Sequence, residues 1–236
     1  MNKENIICAV IIAVGLSVMG AFICNGIQKI GMKKRTVYVK GLSEKEVAAN
    51  KVVWPLAVKY FDNDINSLYN KVKETNTKVT EYLVKNGIKA DEISIEAPVI
   101  TDKRANPYDY SDNINNVPRY FVTSVITVTS SNVENVKKLI DNQGELLAIG
   151  IVPAGDEYGT SVTYEYTDLN KIKPEMIEEA TKNAREAASK FAKDSNSKLG
   201  DIQEASQGQF SIDDRDDNTP YIKKIRVVTS VTYNLE

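Results

Sequence analysis

The chain begins with a long apolar run and continues with alternating helix-like and strand-like patterns. No charged residue occurs over the nineteen positions of Ile6–Cys24. A helix rises about 1.5 Å per residue, so this run is long enough to cross the roughly 30 Å hydrocarbon core of a bilayer. The pattern therefore predicts a transmembrane anchor with its basic flank over residues 1–35 and a folded body over residues 36–236.

Two other interpretations fit the apolar run less well. A cleaved signal peptide would have a basic start, a shorter apolar core and small residues at the cut, whereas Glu4 offsets Lys3 and no such site follows. A lipoprotein signal would have a small residue before its cysteine, but Ile23 precedes Cys24. A retained single-span helix is therefore favoured.

Small residues recur at every fourth position of the predicted anchor, at Ala9, Ala13, Ser17 and Ala21. This spacing places them on one helix face, the pattern that lets membrane helices approach closely. Two interpretations stay open. The stripe is either a chance feature of an alanine-containing helix or a face that packs against another anchor.

Hydrophobic spacing in the body predicts two long helices and one shorter helix. Steps of three and four run from Ile65 to Tyr82, with Asp62 or Asp64 as the N-cap and Gly87 after the last turn. A shorter helix is predicted over Asn132–Gln143. The longest helix is predicted from Pro174, in its first turn, to about Ser197, and its expected buried face comprises Met176, Ile177, Ala180, Ala184, Ala188 and Phe191.

Alternating and β-branched runs predict strands between these helices. Pro55 falls inside one of them, which favours an edge position or a bulge. The predicted strands are Thr36–Gly41, Val47–Tyr60, Asp91–Ile100, Tyr120–Thr129, Leu146–Val152, Gly159–Tyr166, Asp201–Ile212 and Tyr221–Leu235.

The order of these elements repeats along the body. The sequence Val122-Thr123-Ser124-Val125 recurs as Val228-Thr229-Ser230-Val231, and each copy follows a strand, a long helix and a further strand. A four-residue match is weak, but the matched order favours a duplication. We expect an α+β body of duplicated β-α-β-β units, with halves of about 36–129 and 130–236 and two long helices packed on an antiparallel sheet.

Three groups of positions in the body form recognisable short motifs. They are Val37, Val39 and Gly41; Leu83, Gly87, Ile88, Asp91 and Ile93; and Ala180, Ala184, Ala187, Ala188, Leu199, Gly200 and Ile202. With these motifs, which are helix faces and caps, the body resembles the SIMPL domain family, a family of unknown function. The resemblance covers roughly Thr36–Leu235. One departure is Ala49-Asn50-Lys51, where the family usually has Pro-Asp before the second strand.

The resemblance implies a bacterial cell-envelope protein without established enzymatic activity. Some members of the family are linked to oxidative stress, and oligomeric assemblies are known among them. The family offers no catalytic residues, so none is assigned to this chain. The family implies a periplasmic or surface-exposed body.

The orientation of the anchor is contested by its flanking charges. Lys29, Lys33, Lys34 and Arg35 follow the run, which would place the body in the cytoplasm. Whole domains cross membranes largely regardless of such charges. We therefore expect an extracytoplasmic body, in agreement with the resemblance.

Composition excludes several classes of function. Thirty Lys and Arg against thirty-two Asp and Glu give a net charge of −2, so there is no basic field for nucleic acid. Histidine is absent, and both cysteines, Cys8 and Cys24, lie in the apolar run. The body therefore lacks the usual general base and thiolate nucleophile, and we expect neither an enzyme, nor a cofactor, nor a metal site.

Two polar segments are candidates for binding. Tyr108, Tyr110 and Tyr120 belong to a segment over 103–121 that is predicted as a long loop or the tip of a hairpin; its aromatics form either an interface or ordinary surface and sheet packing. The acidic stretch Asp213–Asn218 lacks the spacing of a calcium loop, so a solvated hairpin tip is favoured.

These features together predict a protein that acts by protein–protein association, as a homo-oligomer held to the membrane by its anchor. The alternative is a module that binds a small ligand or cell-wall glycan through the tyrosine-rich segment.

Overall fold

The computed structural model describes residues 12–24, 35–105, 117–155 and 161–236. Within them the chain is a mixed α+β protein with two antiparallel sheets and five α-helices. The strands are β1 Thr36–Ala48, β2 Lys51–Asp62, β3 Ile93–Ile95, β4 Val99–Asp102, β5 Tyr120–Ser130, β6 Thr163–Glu165, β7 Leu199–Gln207, β8 Ser211–Asp214 and β9 Ile222–Leu235. The helices are α1 over residues 12–24, α2 Ile65–Lys85, α3 Val133–Asp141, α4 Glu145–Ala148 and α5 Leu169–Asp194.

The α+β class is confirmed, but the expectation of one sheet under both long helices is wrong. The first sheet has the order β1-β9-β7, with β8 also paired to β9. The second has the order β3-β5-β2-β6, with β4 also paired to β5. In each sheet a long strand pairs with a long earlier strand and with two short strands that follow a helix, so the order of elements does repeat.

The repeated tetrapeptide does not mark equivalent positions in the two sheets. Val122 and Ser124 are the buried residues of the first copy, whereas Thr229 and Val231 are buried in the second. Because successive strand residues point to opposite faces, the two copies are shifted by one position relative to the core. The order of elements repeats, but this short match does not mark equivalent positions, and the duplication itself stays a prediction.

Contacts divide the chain into two compact units, each built from separated segments. One unit comprises Met1–Ser43, Ile177–Gln209 and Val228–Glu236, and the other comprises Glu44–Met176 and Phe210–Val227. Each unit therefore takes residues from both of the predicted halves.

The core of the larger unit lies between the second sheet and the helices α2 and α3. Alternate residues of β2 and β5 point into it, as their period of two requires. Trp54, the only tryptophan, is 3% exposed and belongs to this core. The principal core residues are Val52, Trp54, Leu56, Val58, Val79, Leu83, Ile126, Val128 and Val136.

Helix α2 follows the sequence prediction closely. The carboxylate of Asp64 caps its start by accepting the N–H of Asn66 at 3.0 Å. Leu68, Val72 and Val79 form part of its buried stripe. Gly87, with a φ of 87°, follows the last turn, as predicted.

Helix α5 differs from its prediction at both ends and in one core residue. It begins at Leu169, so Pro174 is its sixth residue and not part of the first turn. It ends at Asp194, before the predicted end near Ser197, and β7 begins at Leu199. Phe191 is 60% exposed, whereas Ala192 is buried, since the buried alanines continue at intervals of four from Ala180.

The composition of the apolar run Leu146–Val152 predicted a strand, and this prediction is wrong. It forms the short helix α4 and then a turn at Gly150, which has a φ of 79°. Leu146 and Ile151 are buried while Leu147 is exposed, a pattern that a two-residue period does not produce. The strand predicted over Gly159–Tyr166 is restricted, within the described residues, to Thr163–Glu165.

The smaller unit is organised around Gly41. The sequence predicted that β1 would end there, yet the strand continues to Ala48. A Cβ atom at Gly41 would lie 1.8 Å from the carbonyl oxygen of Ala180 and 2.5 Å from the nitrogen of Ala184. Strand and helix backbones are therefore in direct contact, which only glycine allows on the strand.

Replacing Gly41 with alanine should destabilise the protein by at least about 2 kcal/mol, because the new methyl group must displace helix backbone. Thermal unfolding of the full chain in mild detergent, followed by circular dichroism, measures the change. Gly144→Ala is the matched control, since its Cβ would meet nothing within 4 Å and its φ is −57°. Equal melting temperatures for the two variants would contradict the packing argument.

Candidate functional site

The tyrosine-rich segment connects two strands that pair as a β-hairpin, and its residues 106–116 lie outside the described residues. Strands β4 and β5 pair antiparallel, with Asp102 opposite Tyr120, and a short 3₁₀ turn over Lys103–Ala105 follows β4. Tyr108 and Tyr110 lie outside the described residues, so their interface role stays a prediction. Tyr120 is the first residue of β5.

An ion pair closes the base of this hairpin. The Nε of Arg119 lies 3.1 Å from both carboxylate oxygens of Asp102, and Nη2 lies 2.8 Å from Oδ2. Hydrogen bonds from Arg119 hold the pKa of the Asp102 carboxyl below its ordinary value. The same contact raises the pKa of the Arg119 guanidinium. Two-point contact of this kind fixes geometry as well as charge.

A second carboxylate joins the end of β2 to the start of α2. Asp62 accepts hydrogen bonds from the Nζ of Lys71 and the hydroxyl of Ser67, each at 2.7 Å. These bonds, led by that from Lys71, hold the pKa of Asp62 far below its ordinary value. The neighbouring Asn63 accepts the N–H of Arg119 at 3.0 Å, so the helix start and the hairpin base are linked.

Tyr120 has one packed side and one side facing a cation. It is half-buried against the small cluster of Leu68, Val72 and Val122. The guanidinium carbon of Arg119 lies 4.8 Å from the centre of its ring. The contacts of Tyr120 are therefore largely those of ordinary sheet packing, which is one of the two interpretations that the sequence allowed.

The most exposed aromatic group at the hairpin base is one that the sequence did not single out. Phe61 is 61% exposed, and its ring centroid lies 6.1 Å from that of Phe121, directly opposite it in register. The Nζ of Lys103 lies 5.5 Å from the Phe121 ring. We call Phe61, Lys103, Arg119, Tyr120 and Phe121 the hairpin surface.

The alternation of buried and exposed positions along the strands could have identified the pair Phe61 and Phe121. The buried residues Val52, Trp54 and Leu56 share one face of β2, so Phe61 falls on the other face. Exposed aromatics beside an arginine are the composition typical of interface hot spots. The hairpin surface is therefore suited to bind a protein partner.

The predicted anchor face lies only partly within the described residues. Ala13, Ser17 and Ala21 belong to α1 and are exposed, and the Ser17 hydroxyl donates to the Ala13 carbonyl at 2.8 Å. Ala9 lies outside the described residues, as do the other residues of Ile6–Ile11. Of the helices that the structure describes, none is both long enough and apolar enough to cross a membrane.

The acidic stretch Asp213–Asn218 forms the end of β8 and a turn into β9. The Asp216 carboxylate accepts from the Nε of Arg215 at 3.1 Å and from the N–H of Asn218 at 2.9 Å. Its oxygens are thus engaged within the turn. In the described ranges, no group of three or more acidic or cysteine side chains is arranged to hold a metal ion.

Comparison with known protein families identifies the family of the chain. The sequence model of the SIMPL family, described as "Protein of unknown function (DUF541)", matches residues 37–233. No curated protein matches the chain. The matched range includes Gly41, Ala180 and Ala184, which the structure places in backbone contact.

Acid should weaken the base of the hairpin. The folded-state pKa of Asp102 lies below its unfolded value of about 3.9, so its stabilisation is present above about pH 4 and is lost as the pH falls through the folded pKa. Asp102→Asn should lower stability at neutral pH and flatten the loss below about pH 4. Urea unfolding of the full chain, followed by the fluorescence of Trp54, measures both effects.

Asp217→Asn is the control for this measurement, because it removes an exposed carboxylate in the β8–β9 turn, away from the hairpin base. It should leave the acid dependence of the wild-type chain unchanged. A pH profile for Asp102→Asn that runs parallel to that of the wild-type chain would refute the assigned role of the ion pair.

Proposed function

Because the chain belongs to the SIMPL family, we propose that it is a non-enzymatic cell-envelope protein that acts by protein–protein association. In this proposal the segment Ile6–Cys24 holds the protein in the membrane, and the body lies outside the cytoplasm. The body associates with further copies of itself through the hairpin surface. The link to envelope or oxidative stress that the family resemblance implies is part of the same proposal.

The observation that carries the proposal is the exposed Phe61 next to the half-buried Phe121, at the base of a hairpin whose Arg119 is fixed by an ion pair. Leaving a large aromatic ring in water is unfavourable, and burying it in an interface recovers about 25 cal/mol per Å² of apolar surface. The Arg119–Asp102 ion pair holds the guanidinium in place, so little side-chain entropy is lost when a partner binds. The hairpin surface therefore combines apolar area with a preformed polar rim.

A non-enzymatic role is supported by the chemistry that the chain has available. It contains no histidine, and its two cysteines lie in the N-terminal apolar run. The carboxylates of Asp62 and Asp102 have lowered pKa values and are engaged by Lys71 and Arg119. Carboxylates held in the charged form by such partners are poor general acids.

Replacing Phe61 with aspartate should dissociate the proposed oligomer. Hot-spot aromatics contribute about 2 kcal/mol or more, so the dissociation constant should rise at least about 30-fold. Size-exclusion chromatography with light scattering on the full chain in detergent, over a range of protein concentrations, measures the effect. Tyr38→Asp is the matched control, because Tyr38 is 60% exposed on β1 and is not part of the hairpin surface.

A wild-type chain that is monomeric at every concentration would refute the homo-oligomer. Equal dissociation by Phe61→Asp and Tyr38→Asp would refute the assignment to the hairpin surface. A change in the circular dichroism spectrum or in Trp54 fluorescence would show that a variant dissociates because it unfolds.

The proposed orientation is tested with single cysteines in a chain whose Cys8 and Cys24 are replaced by serine. In intact cells, a membrane-impermeant maleimide should label Asp217→Cys in the body and should not label Asn2→Cys near the N-terminus. The opposite pattern would place the body in the cytoplasm.

A further inference from the structure

A groove opens beside helix α2, on the face of the second sheet opposite to Phe121. Its floor is formed by Leu68, Val72 and Val122, which are buried. Its outer wall is formed by Ile95, Pro98 and Ile100, from β3, β4 and the turn between them. The groove has a volume of about 630 Å³, and most of its lining is apolar.

The groove exists because α2 does not cover the edge of the sheet. The helix packs on β2 and β5, whereas β3 and β4 pair along the outer side of β5. Ile95 and Ile100 are consequently each 51% exposed, although both point to the side of the sheet on which α2 lies, opposite Ile126 and Val122 in register. Exposed apolar side chains that converge on a concave surface are typical of a ligand site.

The volume and length of the groove indicate what kind of molecule it can bind. Its volume falls within the 300–1,000 Å³ that is usual for small-molecule sites. A stable protein interface involves about 20–30 residues from each partner, and fewer residues than that line the groove. The residues of α2 that line it run from Ile65 to Glu81, which corresponds to about 24 Å of helix. A narrow apolar groove of this length fits an extended alkyl chain better than a compact ring system.

The polar residues of the groove indicate the head group. Thr80 and Glu81 lie towards one end of the lining, and Lys73 lies nearer its middle. The carboxylate of Glu81 opposes an anionic head group, and the ammonium of Lys73 opposes a strongly cationic one. The carboxylate of Glu96 accepts the Thr127 hydroxyl at 3.0 Å, on the other face of β5. The side chain of Asn76 accepts the Ser124 hydroxyl through Oδ1 at 3.0 Å, so its amide nitrogen is the end that is left to donate.

We propose that this groove binds a single-chain lipid with an uncharged polar head group, of the monoacylglycerol class. The alkyl chain lies over Leu68, Val72 and Val122, and the hydroxyl groups of the head reach Asn76 and Thr80. Each methylene group buried on this surface contributes favourably to binding. The proposal is independent of the association assigned to the hairpin surface, because the aromatic pair Phe61 and Phe121 that carries that association lies on the face of the sheet opposite to the groove.

The test uses the full chain in phosphatidylcholine nanodiscs and a monopalmitoylglycerol whose acyl chain carries a diazirine. After photolysis, mass spectrometry should find the label on peptides that contain Leu68–Val72 or Ile95–Ile100. Unlabelled monopalmitoylglycerol should compete at least about tenfold better than palmitate, because the carboxylate of palmitate meets Glu81 and lacks the hydroxyl groups that reach Asn76 and Thr80.

Two adjacent substitutions provide the matched comparison. Ile100→Glu places a charge in the groove and should reduce labelling about tenfold or more, since an alkyl chain cannot solvate a carboxylate. Val99→Glu places the same charge on the opposite face, at a residue that is 68% exposed, and should leave labelling unchanged. Both sites are exposed, so neither variant buries a charge on folding.

Several results would overturn the proposal. They are labelling confined to other peptides, equal loss of labelling in both variants, and better competition by palmitate than by monopalmitoylglycerol. A change of oligomeric state in Ile100→Glu with unchanged labelling would assign the groove to contact between copies instead. Loss of oligomers in Phe61→Asp with labelling retained would support both surfaces as separate sites.

Discussion

The direct contact between the backbone of β1 at Gly41 and the backbone of α5 is the constraint on which the smaller unit depends. A strand and a helix approach this closely only when the strand carries no side chain at the crossing and the helix carries none larger than a methyl group. Ala180, Ala184 and Ala188 supply that condition on the helix, at intervals of four, and all three are fully buried. Val37, Val231 and Tyr233 then pack around the contact and complete its core. The positions that carry the family resemblance include Gly41 and these alanines, so that part of the motif encodes packing.

Helix α2 packs against its sheet through large side chains, and a groove is left beside it. Leu68, Val72 and Val79 fill the space between this helix and its sheet. A helix that packs through leucine and valine stands farther from the sheet than one that packs through alanine. Beside such a helix the sheet edge is reached by fewer side chains, and Ile95 and Ile100 stay open to solvent. The groove is therefore a result of how α2 is packed, in the same way that the close crossing at Gly41 is a result of the alanines of α5.

Sequence patterns predicted the elements whose local signals agree with their tertiary environment. In α2 the apolar stripe, the Asp64 cap and Gly87 all indicate the same helix, and the structure has it. The patterns failed where composition and environment disagree. Leu146–Val152 is apolar enough for a buried strand, but Gly150 turns the chain and leaves Leu147 and Val152 in water. Pro174 is typical of a first turn, yet α5 begins five residues earlier and has Pro174 inside the helix.

The candidate site was harder to predict than the fold, for a reason that lies in the strand period. A count of aromatic residues draws attention to the tyrosines of the hairpin end, whereas exposure depends on which face each strand residue occupies. Phe121 and Val122 are adjacent in β5, but one belongs to the hairpin surface and the other to the floor of the groove. That assignment requires the register Phe61↔Phe121 and Ile100↔Val122, which is fixed by pairing between distant segments. Since a single strand separates the two surfaces, each can change by substitution at its own face while the core packing that defines the family stays the same.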